Sequence, residues 1–336
     1  MSHIGATNSL VDVAGLSVGC AEDHKALTGV TVIVPDQRAV CAVDVRGGGP
    51  GTRETDALAA ENLVDAVDAL VLAGGSVYGL AAADGVAAMM GAEGRGFGLV
   101  DAPGVPRSPV IPAAILYDLA NGGDKTWGDA PPYNDLGRAA YAARARAAPL
   151  GNAGAGLGAK AGALKGGQGS ASIVTADGCT VAALACVNAF GSTTMPGSRA
   201  FWAHAFEIDG EFGGVRPDAA HAFDLEDWEG AKANPAPRAN TTIACVAVDA
   251  DLTPAECKRV AQMASAGLAR AIRPVFAPFD GDVVFALATA ARPIAEPRAL
   301  SVARLGALAA DCLARAVARG VHAATSVGAL KAWRDL

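Results

Sequence analysis

The boundary between residues 231–240 and the segment after it holds the most suggestive chemistry in the sequence, the run Asn240-Thr241-Thr242. Residues 231–240 contain two prolines, two asparagines and two cations, a composition that is typical of an exposed loop. Thr242–Val248 is apolar almost throughout and predicts a buried strand. A bond in an accessible loop, followed by a residue anchored in a sheet, is what self-cleavage at a threonine requires.

Cleavage of the Asn240–Thr241 bond would leave Thr241 with a hydroxyl and a free α-amine. An α-amine has an ordinary pKa of about 7.7–8.0. It can therefore accept the hydroxyl proton and turn the hydroxyl oxygen into a nucleophile. The alternative is that Thr241 and Thr242 only open a strand, because threonine favours β-structure.

Two carboxylates at alternate positions, Asp280 and Asp282, flank Gly281 just before the apolar segment Val283–Phe285. Alternate residues of a strand point to the same face. The pair could orient the α-amine of Thr241 or bind a substrate amine. The alternative is an ordinary Asp-Gly turn before a strand.

Other catalytic and cofactor signatures are incomplete. Glycine-rich segments at 47–51, 74–76 and 154–158 do not continue into the Gly-Lys-Ser/Thr of a phosphate-binding loop. The turn at Ser76 resembles a nucleophile elbow, but Tyr78 replaces the required glycine. The five histidines have no metal-binding spacing, and the seven cysteines include no Cys-x-x-Cys pair. We therefore expect no metal and no other cofactor.

Composition favours a globular protein that binds neither nucleic acid nor membrane. The net charge of −7 and the 5% aromatic content do not suit a phosphate-neutralising, base-stacking surface. No apolar run reaches the roughly 20 residues of a bilayer span, and residues 1–9 do not resemble a secretory signal. Reduced thiols and a cytoplasmic location are expected. The 51% hydrophobic content of the 336 residues suffices for a large core.

Hydrophobic patterning predicts a chain of mixed strands and helices, with the order strand, helix, strand, helix after Asn240. Strands are predicted at Gly29–Pro35, Ala39–Val45, Ala69–Ala73, Val110–Tyr117, Ala171–Thr175, Thr180–Val187, Thr242–Val248 and Asp282–Ala288. Helices are predicted at Ala57–Val67, Ser76–Met90, Gly137–Ala147, Thr253–Ile272 and Ser301–Ala318. Thr253, Pro254 and Glu256 form a helix-start signature with a capping box.

Seven short strings, in this order, resemble the DmpA-type L-aminopeptidase/D-esterase family of N-terminal-nucleophile peptidases, and especially its nylon-oligomer (6-aminohexanoate oligomer) hydrolase branch. They lie at 27–32, 42–48, 72–80, 165–172, 240–243, 267–274 and 279–282. The most specific is Asn240-Thr241-Thr242-Ile243. The nylon-oligomer branch carries threonine after asparagine, as this chain does, whereas the aminopeptidase members carry serine at that position.

This resemblance implies an α/β protein with a four-layer αββα fold. It implies one domain, 1–336, which cuts itself between Asn240 and Thr241 into chains 1–240 and 241–336 that stay together. It further implies a small amide or peptide substrate and a homo-oligomer, a homotetramer in the family.

The resemblance also assigns roles by position. Thr241 would be the nucleophile, supported by the acids Asp280 and Asp282. Asn188 would donate to the oxyanion, and Tyr117 would line the same site. Donors of this kind stabilise charge that develops on a carbonyl oxygen.

The resemblance to the nylon-oligomer hydrolases, which place a catalytic lysine shortly after a Gly-Ala-Gly segment, implies a catalytic lysine shortly after Gly154-Ala155-Gly156. The position that corresponds to the family's lysine is Lys160 when residues are counted forward from Tyr117. It is Ala163 when they are counted back from Thr241. Lys160 is favoured because it follows the glycine segment most closely, and Lys165 is the fallback. A solvated loop lysine is the alternative for both.

Two other functions fit the same fold. An acyltransferase of the ornithine acetyltransferase type would carry its threonine in an Ala-Thr-Met-Leu-like string, whereas this chain has Asn240-Thr241-Thr242-Ile243. A non-catalytic binding protein would not need Asn188, Thr241, Asp280 and Asp282 together. Amide hydrolysis is therefore the favoured prediction.

Overall fold

A computed structural model describes residues 1–100, 102–228, 230–232 and 240–336. Residues 233–239, most of the predicted loop before Thr241, lie outside the described residues. The strands are β1 (Leu16–Asp23), β2 (Thr28–Pro35), β3 (Ala39–Val45), β4 (Thr52–Arg53), β5 (Ala66–Val67), β6 (Leu70–Ala73), β7 (Ala113–Ile115), β8 (Lys160–Ala161), β9 (Leu164–Lys165), β10 (Gly167–Val174), β11 (Thr180–Asn188), β12 (Thr241–Ala250) and β13 (Val283–Arg292). The α-helices are α1 (Ala82–Ala92), α2 (Tyr133–Ala142), α3 (Pro254–Ala264), α4 (Ala266–Ala271) and α5 (Arg298–Ala323).

Three hydrophobic clusters divide these elements into four layers. The first fills the space between α1, α2 and a five-stranded sheet of order β1-β2-β6-β7-β4. The second lies between that sheet and a six-stranded sheet of order β10-β11-β12-β13-β3-β5. The third packs the six-stranded sheet against α3, α4 and α5. The predicted αββα fold is therefore confirmed.

The central strand β12 is apolar throughout most of its length because both of its faces are buried. Ile243, Cys245 and Ala247 contribute to the cluster between the sheets. The intervening residues Ala244, Val246 and Val248 contribute to the cluster under the helices. β12 pairs antiparallel with β11 and parallel with β13, so it is held from both sides.

The parallel connection from β12 to β13 runs through α3 and α4 and begins with the predicted capping box. The side chain of Thr253 accepts from the Glu256 backbone N–H, and the Glu256 carboxylate accepts from that of Thr253. The predicted single helix is divided at Ser265. The hydroxyl of Ser265 donates to the Asp44 carboxylate at 2.6 Å, which ties this junction to β3.

The predicted helix at Ala57–Val67 is wrong. Residues Asp56–Leu58 form a single 3-10 turn, and Ala66–Val67 pairs with β3 as the edge strand β5. Leu58 and Val67 near the ends of this segment are buried, but Leu63 between them is fully exposed, so a helix here would have little apolar packing along its middle. Short helices in water depend on such packing for most of their stability.

Other boundaries moved for identifiable reasons. Helix α2 occupies Tyr133–Ala142 and not Gly137–Ala147, because Ala145 leaves the helix to form a β-bridge with Val18. The strand predicted at Val110–Tyr117 is limited to Ala113–Ile115, just after Pro112, which has no N–H to donate. Sequence reasoning missed β1, which pairs with β2 over its whole length.

The remaining predicted elements are confirmed with small changes at their ends: β2, β3, β6, the β10–β11 hairpin, β12, β13, the helix after Ser76, and α5. Within the described part of the chain, none of the helices combines the length and apolarity needed to cross a bilayer.

Helix α5 lies unusually close to β10, because both contribute glycines to the contact. A Cβ on Gly169 would lie 1.9 Å from the carbonyl oxygen of Ala316 and 2.3 Å from the amide nitrogen of Gly320. Both of these are backbone atoms, so a side chain could be accommodated only by moving the helix. The absence of a side chain at Gly169 therefore sets the distance between the helical layer and the sheet.

Replacement of Gly169 by alanine is expected to destabilise the fold by about 1–3 kcal/mol, the usual cost of overpacking a core. Denaturant unfolding measures the change. The matched control is Gly91→Ala near the end of α1, where the nearest atom to the new Cβ is 3.8 Å away. That variant should be neutral or slightly more stable, because alanine favours helix. Equal stability of the two variants would contradict the close-packing argument.

Candidate active site

Three adjacent strand ends bring the predicted site residues together. Thr241 is the first residue of β12 and lies directly opposite Asn188, the last residue of β11. On the other side, Asn240 forms a parallel β-bridge with Asp280, two residues before Asp282. The register of the six-stranded sheet therefore brings residues that are far apart in sequence together at the ends of three neighbouring strands.

The peptide group between Asn240 and Thr241 is buried, and not accessible as the sequence predicted, and two donors hold its carbonyl oxygen. The Thr241 hydroxyl donates to the carbonyl oxygen of Asn240, and the backbone N–H of Gly281 donates to the same oxygen at 2.8 Å. Asn240 is fully buried and Thr241 is 2% exposed. The Thr241 hydroxyl therefore lies beside the carbonyl group that it would attack in a self-cleavage step, and the Gly281 N–H polarises that carbonyl.

The carboxylates of Asp280 and Asp282 accept backbone hydrogen bonds that hold the loop before β13 in place. Asp282 accepts from the Thr242 N–H at 2.7 Å and from the Phe276 N–H at 3.2 Å. Asp280 accepts from the N–H groups of Phe190, at 3.3 Å, and Ala277, at 3.1 Å. These bonds join the Asp-Gly-Asp segment to β12 and to the residues after β11.

Burial raises the pKa of both carboxyls, and the charge of Asp280 raises the pKa of Asp282 further. Backbone hydrogen bonds and the cation of Lys232 act in the opposite direction. Two buried acids with raised pKa values favour a neighbouring cation, because a positive charge offsets the cost of ionising them.

The side-chain amide of Asn188 is fixed at both ends. Its Oδ1 accepts from the backbone N–H of Lys160 at 2.9 Å, and its Nδ2 donates to the carbonyl oxygen of Tyr117 at 2.9 Å. The side chain is almost fully buried. The amide is therefore held in one orientation beside the start of β12.

Lys232 is a site residue that sequence reasoning did not identify. Its ammonium donates to the main-chain oxygen of Asn188 at 2.8 Å and to the Oδ1 of the same residue at 3.1 Å. The pKa of Lys232 is lowered to about 7: burial is the largest cause, the charge of Lys160 acts in the same direction, and Asp280 and Asp282 oppose it. The only hint in the sequence was a cation in the loop that precedes Asn240.

A cleft of about 230 Å³ opens beside these groups. It is lined by Tyr117, Asp118, Ala120, Asn121, Gly158, Lys160, Asn188, Lys232, Asn240 and Leu330. Four of the predicted site residues thus share one cleft: Tyr117, Lys160, Asn188 and Asn240. Thr241 follows Asn240 as the first residue of β12, Asp280 forms the β-bridge with Asn240, and Asp282 lies two residues after Asp280.

Asp118 is a second residue of the cleft to which the sequence assigned no role. Its carboxylate accepts from the Gly75 N–H at 2.8 Å and from the Thr28 hydroxyl at 2.6 Å. Burial raises the pKa of Asp118 to about 6. Asp118 therefore attaches the Gly74-Gly75 turn to the cleft wall.

The two candidate lysines occupy different environments. Lys160 lines the cleft, whereas the Lys165 side chain is fully buried. The Lys165 ammonium donates to the carbonyl oxygens of Gly156, at 2.8 Å, and Gly166, at 2.7 Å. Burial lowers the pKa of Lys165 to about 7. The geometry thus favours Lys160 as the lysine that could meet a substrate.

Potential metal ligands are not clustered in the described ranges: no group of three or more His, Cys, Asp or Glu side chains could hold a metal ion. The seven cysteines are all free thiols.

Comparison with known proteins identifies the family. The model of peptidase family S58 matches residues 8–333. The chain belongs to peptidase family S58. It is accordingly a hydrolase of peptide or amide bonds, and the predicted resemblance to DmpA-type aminopeptidases is confirmed.

Relatives of this S58 member include uncharacterized aminopeptidases and amide-oligomer hydrolases. An uncharacterized aminopeptidase of Mycobacterium tuberculosis is 45% identical over 349 residues, with 98% of each chain covered. A 6-aminohexanoate-oligomer endohydrolase of Kocuria sp. is 30% identical over 286 residues, which cover 83% of this chain and 74% of the relative.

Solved structures share the fold at lower identity. The beta-aminopeptidase of Burkholderia sp. aligns with a TM-score of 0.69 at 22% identity. The L-aminopeptidase D-Ala-esterase/amidase of Ochrobactrum anthropi, described as a variant of the Ntn-hydrolase fold, aligns with a TM-score of 0.66 at 20% identity. Each alignment covers 96% of this chain and 88% of the other. The S58 chain therefore has an Ntn-hydrolase fold.

The depressed pKa of Lys165 predicts a pH-dependent stability. Between about pH 7 and pH 10 the unfolded chain binds a proton at Lys165 that the folded chain does not, so stability should rise with pH, by up to ~1.4 kcal/mol per pH unit for one proton. Lys165→Met should remove that part of the slope. Denaturant unfolding at several pH values measures it, in a Thr241→Ala background that excludes the self-cleavage expected from the sequence.

The control for this experiment is Lys25→Met, since the Lys25 side chain is 81% exposed. It should leave the slope unchanged. Lys232 contributes in the same direction as Lys165, so some slope should remain in both variants. A Lys165→Met protein with the slope of the parent would show that Lys165 titrates normally.

Proposed function

We propose that this S58 hydrolase processes itself at the Asn240–Thr241 bond and then uses Thr241 as an N-terminal nucleophile on small amides. The observation that carries the proposal is the contact between the Thr241 hydroxyl and the Asn240 carbonyl oxygen, which the Gly281 N–H also binds at 2.8 Å.

In the self-cleavage step, the hydroxyl oxygen of Thr241 attacks the carbonyl carbon of Asn240. The Gly281 N–H stabilises the negative charge on the carbonyl oxygen. The carbon–nitrogen bond breaks, and the hydroxyl proton passes to the departing nitrogen. An ester joins the two residues until water hydrolyses it, which leaves a carboxylate on Asn240 and a free α-amine on Thr241.

Buried polar groups around this bond favour its cleavage. Both polar atoms of the Asn240 side-chain amide are buried, and neither has a hydrogen-bond partner among the residues that the structure describes. An unsatisfied buried polar group costs about 1–3 kcal/mol. Release of Asn240 from the sheet would recover this cost, so the uncut state is raised in free energy relative to the cut one.

In the hydrolytic cycle, the α-amine of Thr241 accepts the hydroxyl proton while the hydroxyl oxygen attacks the substrate carbonyl. The amine then gives the proton to the leaving nitrogen as the amide bond breaks. Water hydrolyses the resulting ester, which releases the acid and restores the hydroxyl. Asn188 donates to the substrate oxyanion from the opposite strand, and Tyr117 and Lys160 line the cleft that receives the acyl group.

Asp280 and Asp282 would tune the new α-amine. An ammonium in an apolar cleft loses its proton early, and neighbouring carboxylates counter that shift. In the uncut chain both buried carboxyls have raised pKa values. A nearby ammonium would stabilise their ionised forms. The two acids thus set the fraction of Thr241 that is present as the free base near neutral pH.

The substrate class follows from the cleft and the relatives. A cleft of about 230 Å³ is smaller than the ~300–1,000 Å³ of sites for drug-sized ligands. It suits a small acyl group at the end of a short peptide or amide oligomer. The names of the relatives, aminopeptidase and 6-aminohexanoate-oligomer endohydrolase, fit the same class.

Replacement of Thr241 tests the nucleophile directly. Thr241→Ala should abolish both self-cleavage and amide hydrolysis, because the hydroxyl is required for each, while Thr241→Ser should keep part of both. Intact-mass spectrometry after incubation at neutral pH should give fragments 1–240 and 241–336 from the parent and one full-length mass from Thr241→Ala. Wild-type turnover by an uncut chain would refute the proposal, because the α-amine would not exist.

Gly281→Ala tests the geometry of the cleavage step. The new methyl would lie 2.6 Å from the Thr241 Oγ1 and 2.9 Å from the Gly49 carbonyl oxygen, so it displaces the hydroxyl from the carbonyl it attacks. Displacement of a reacting group by about 1 Å can cost on the order of 10²-fold in rate. A time course of intact mass should show cleavage slowed to about that extent, with Gly91→Ala cleaving normally. Normal cleavage by Gly281→Ala would rule out this geometry.

A further inference from the structure

Within the described ranges, the ammonium of Lys232 donates to one residue, Asn188, through two oxygens. It donates to the main-chain oxygen at 2.8 Å and to the side-chain Oδ1 at 3.1 Å. A lysine whose only role was to keep a loop in contact with solvent would not need to donate two hydrogen bonds to one asparagine in the cleft wall. The contact therefore points to a role exerted on Asn188.

The donors around Oδ1 fix the orientation of the amide. Oδ1 receives the Lys160 backbone N–H and the Lys232 ammonium, and neither the amide N–H nor a protonated lysine can accept a hydrogen bond. If the amide turned by half a rotation, its NH₂ group would face these two donors and lose both bonds. Nδ2 is consequently kept on the other side, where it donates to the Tyr117 carbonyl oxygen.

A cation on Oδ1 also changes what Nδ2 can do. Withdrawal of electron density from the amide oxygen makes the N–H bonds more polar, and hydrogen bonds strengthen one another along such a chain. Hydrogen bonds that involve an ionised group are also roughly twice as strong as neutral ones. Lys232 should therefore make Asn188 both better oriented and a stronger donor.

The anchoring of Lys232 does not depend on Thr241. Its own backbone N–H donates to the Phe190 carbonyl oxygen at 2.9 Å, and Gly230, two residues earlier, accepts from the Ala163 N–H at 2.9 Å. Lys232 and Asn188 also belong to the same fragment, 1–240, under the proposed cleavage. The contact is therefore compatible with the mature enzyme as well as with the uncut chain.

We infer that Lys232 is a positioning residue for hydrolysis, which holds and polarises the Asn188 amide so that it can stabilise the oxyanion. The inference rests on the proposed function, in which Asn188 is the side-chain oxyanion donor. Lys232 does not contact the reacting atoms itself, and its effect reaches them only through Asn188.

The test compares fully cleaved Lys232→Met and Lys232→Arg with the parent, using alanine p-nitroanilide as the probe and intact mass to verify cleavage. Lys232→Met should lower kcat about tenfold or more, a part of the ~10²–10³-fold lost when an oxyanion donor is removed outright. KM should change little, because the interaction forms with the transition state. Lys232→Arg keeps a cationic donor and should recover most of kcat. Lys25→Met, which removes an exposed lysine, should behave as the parent.

A double-mutant cycle separates this role from a structural one. If Lys232 acts through Asn188, then Lys232→Met should cost nothing further in an Asn188→Ala background, measured under single-turnover conditions. Circular dichroism melting identifies any variant that fails to fold, in which case Lys232→Gln replaces Lys232→Met. Additive losses, an effect on KM alone, or an unchanged kcat would overturn the inference. These outcomes leave the proposed function intact, which fails instead if Thr241→Ala retains turnover.

Discussion

The whole site depends on the register of one strand. β12 is clamped between β11 and β13, and this pairing puts Thr241 opposite Asn188 and Asn240 beside Asp280. A slip of one residue would turn every side chain of β12 to the other face. Because both faces are fully buried against different hydrophobic clusters, such a slip is strongly disfavoured. The packing that stabilises the domain therefore also fixes the geometry of the candidate nucleophile.

Burial gives the same residues unusual protonation behaviour. Near the start of β12 lie two carboxyls with raised pKa values and Lys232 with a lowered one. Removal from water is the largest cause for each of them, because burial disfavours the charged form. Asp282 and Lys232, each with a pKa of about 7, therefore exchange protons near neutral pH. This is the range in which an α-amine nucleophile would have to work.

Much of this arrangement could be read from the sequence, for reasons that are specific to each part. β12 and β13 were recognisable because both faces of a central strand must be apolar, and the capping box at Thr253 marked the start of α3 through its own side chains. The segment Ala57–Val67 misled because its pattern cannot show that Leu63 would lack a packing partner. Lys232 was missed because its role comes from a contact across 44 positions of the chain, which no local pattern encodes.

The topology of the six-stranded sheet bears on what happens to the two halves of a cut chain. β12 and β13 belong to the C-terminal segment, yet they lie as neighbours between β11 and β3, which both belong to the N-terminal segment. The two strands of the C-terminal segment are thus inserted between strands of the N-terminal segment and form hydrogen bonds with them on both sides. Dissociation of the C-terminal segment would expose the hydrophobic core and leave the facing sides of β11 and β3 without hydrogen-bond partners. Under the proposed cleavage, the two polypeptides would therefore behave as one thermodynamic unit, which dissociates only by unfolding.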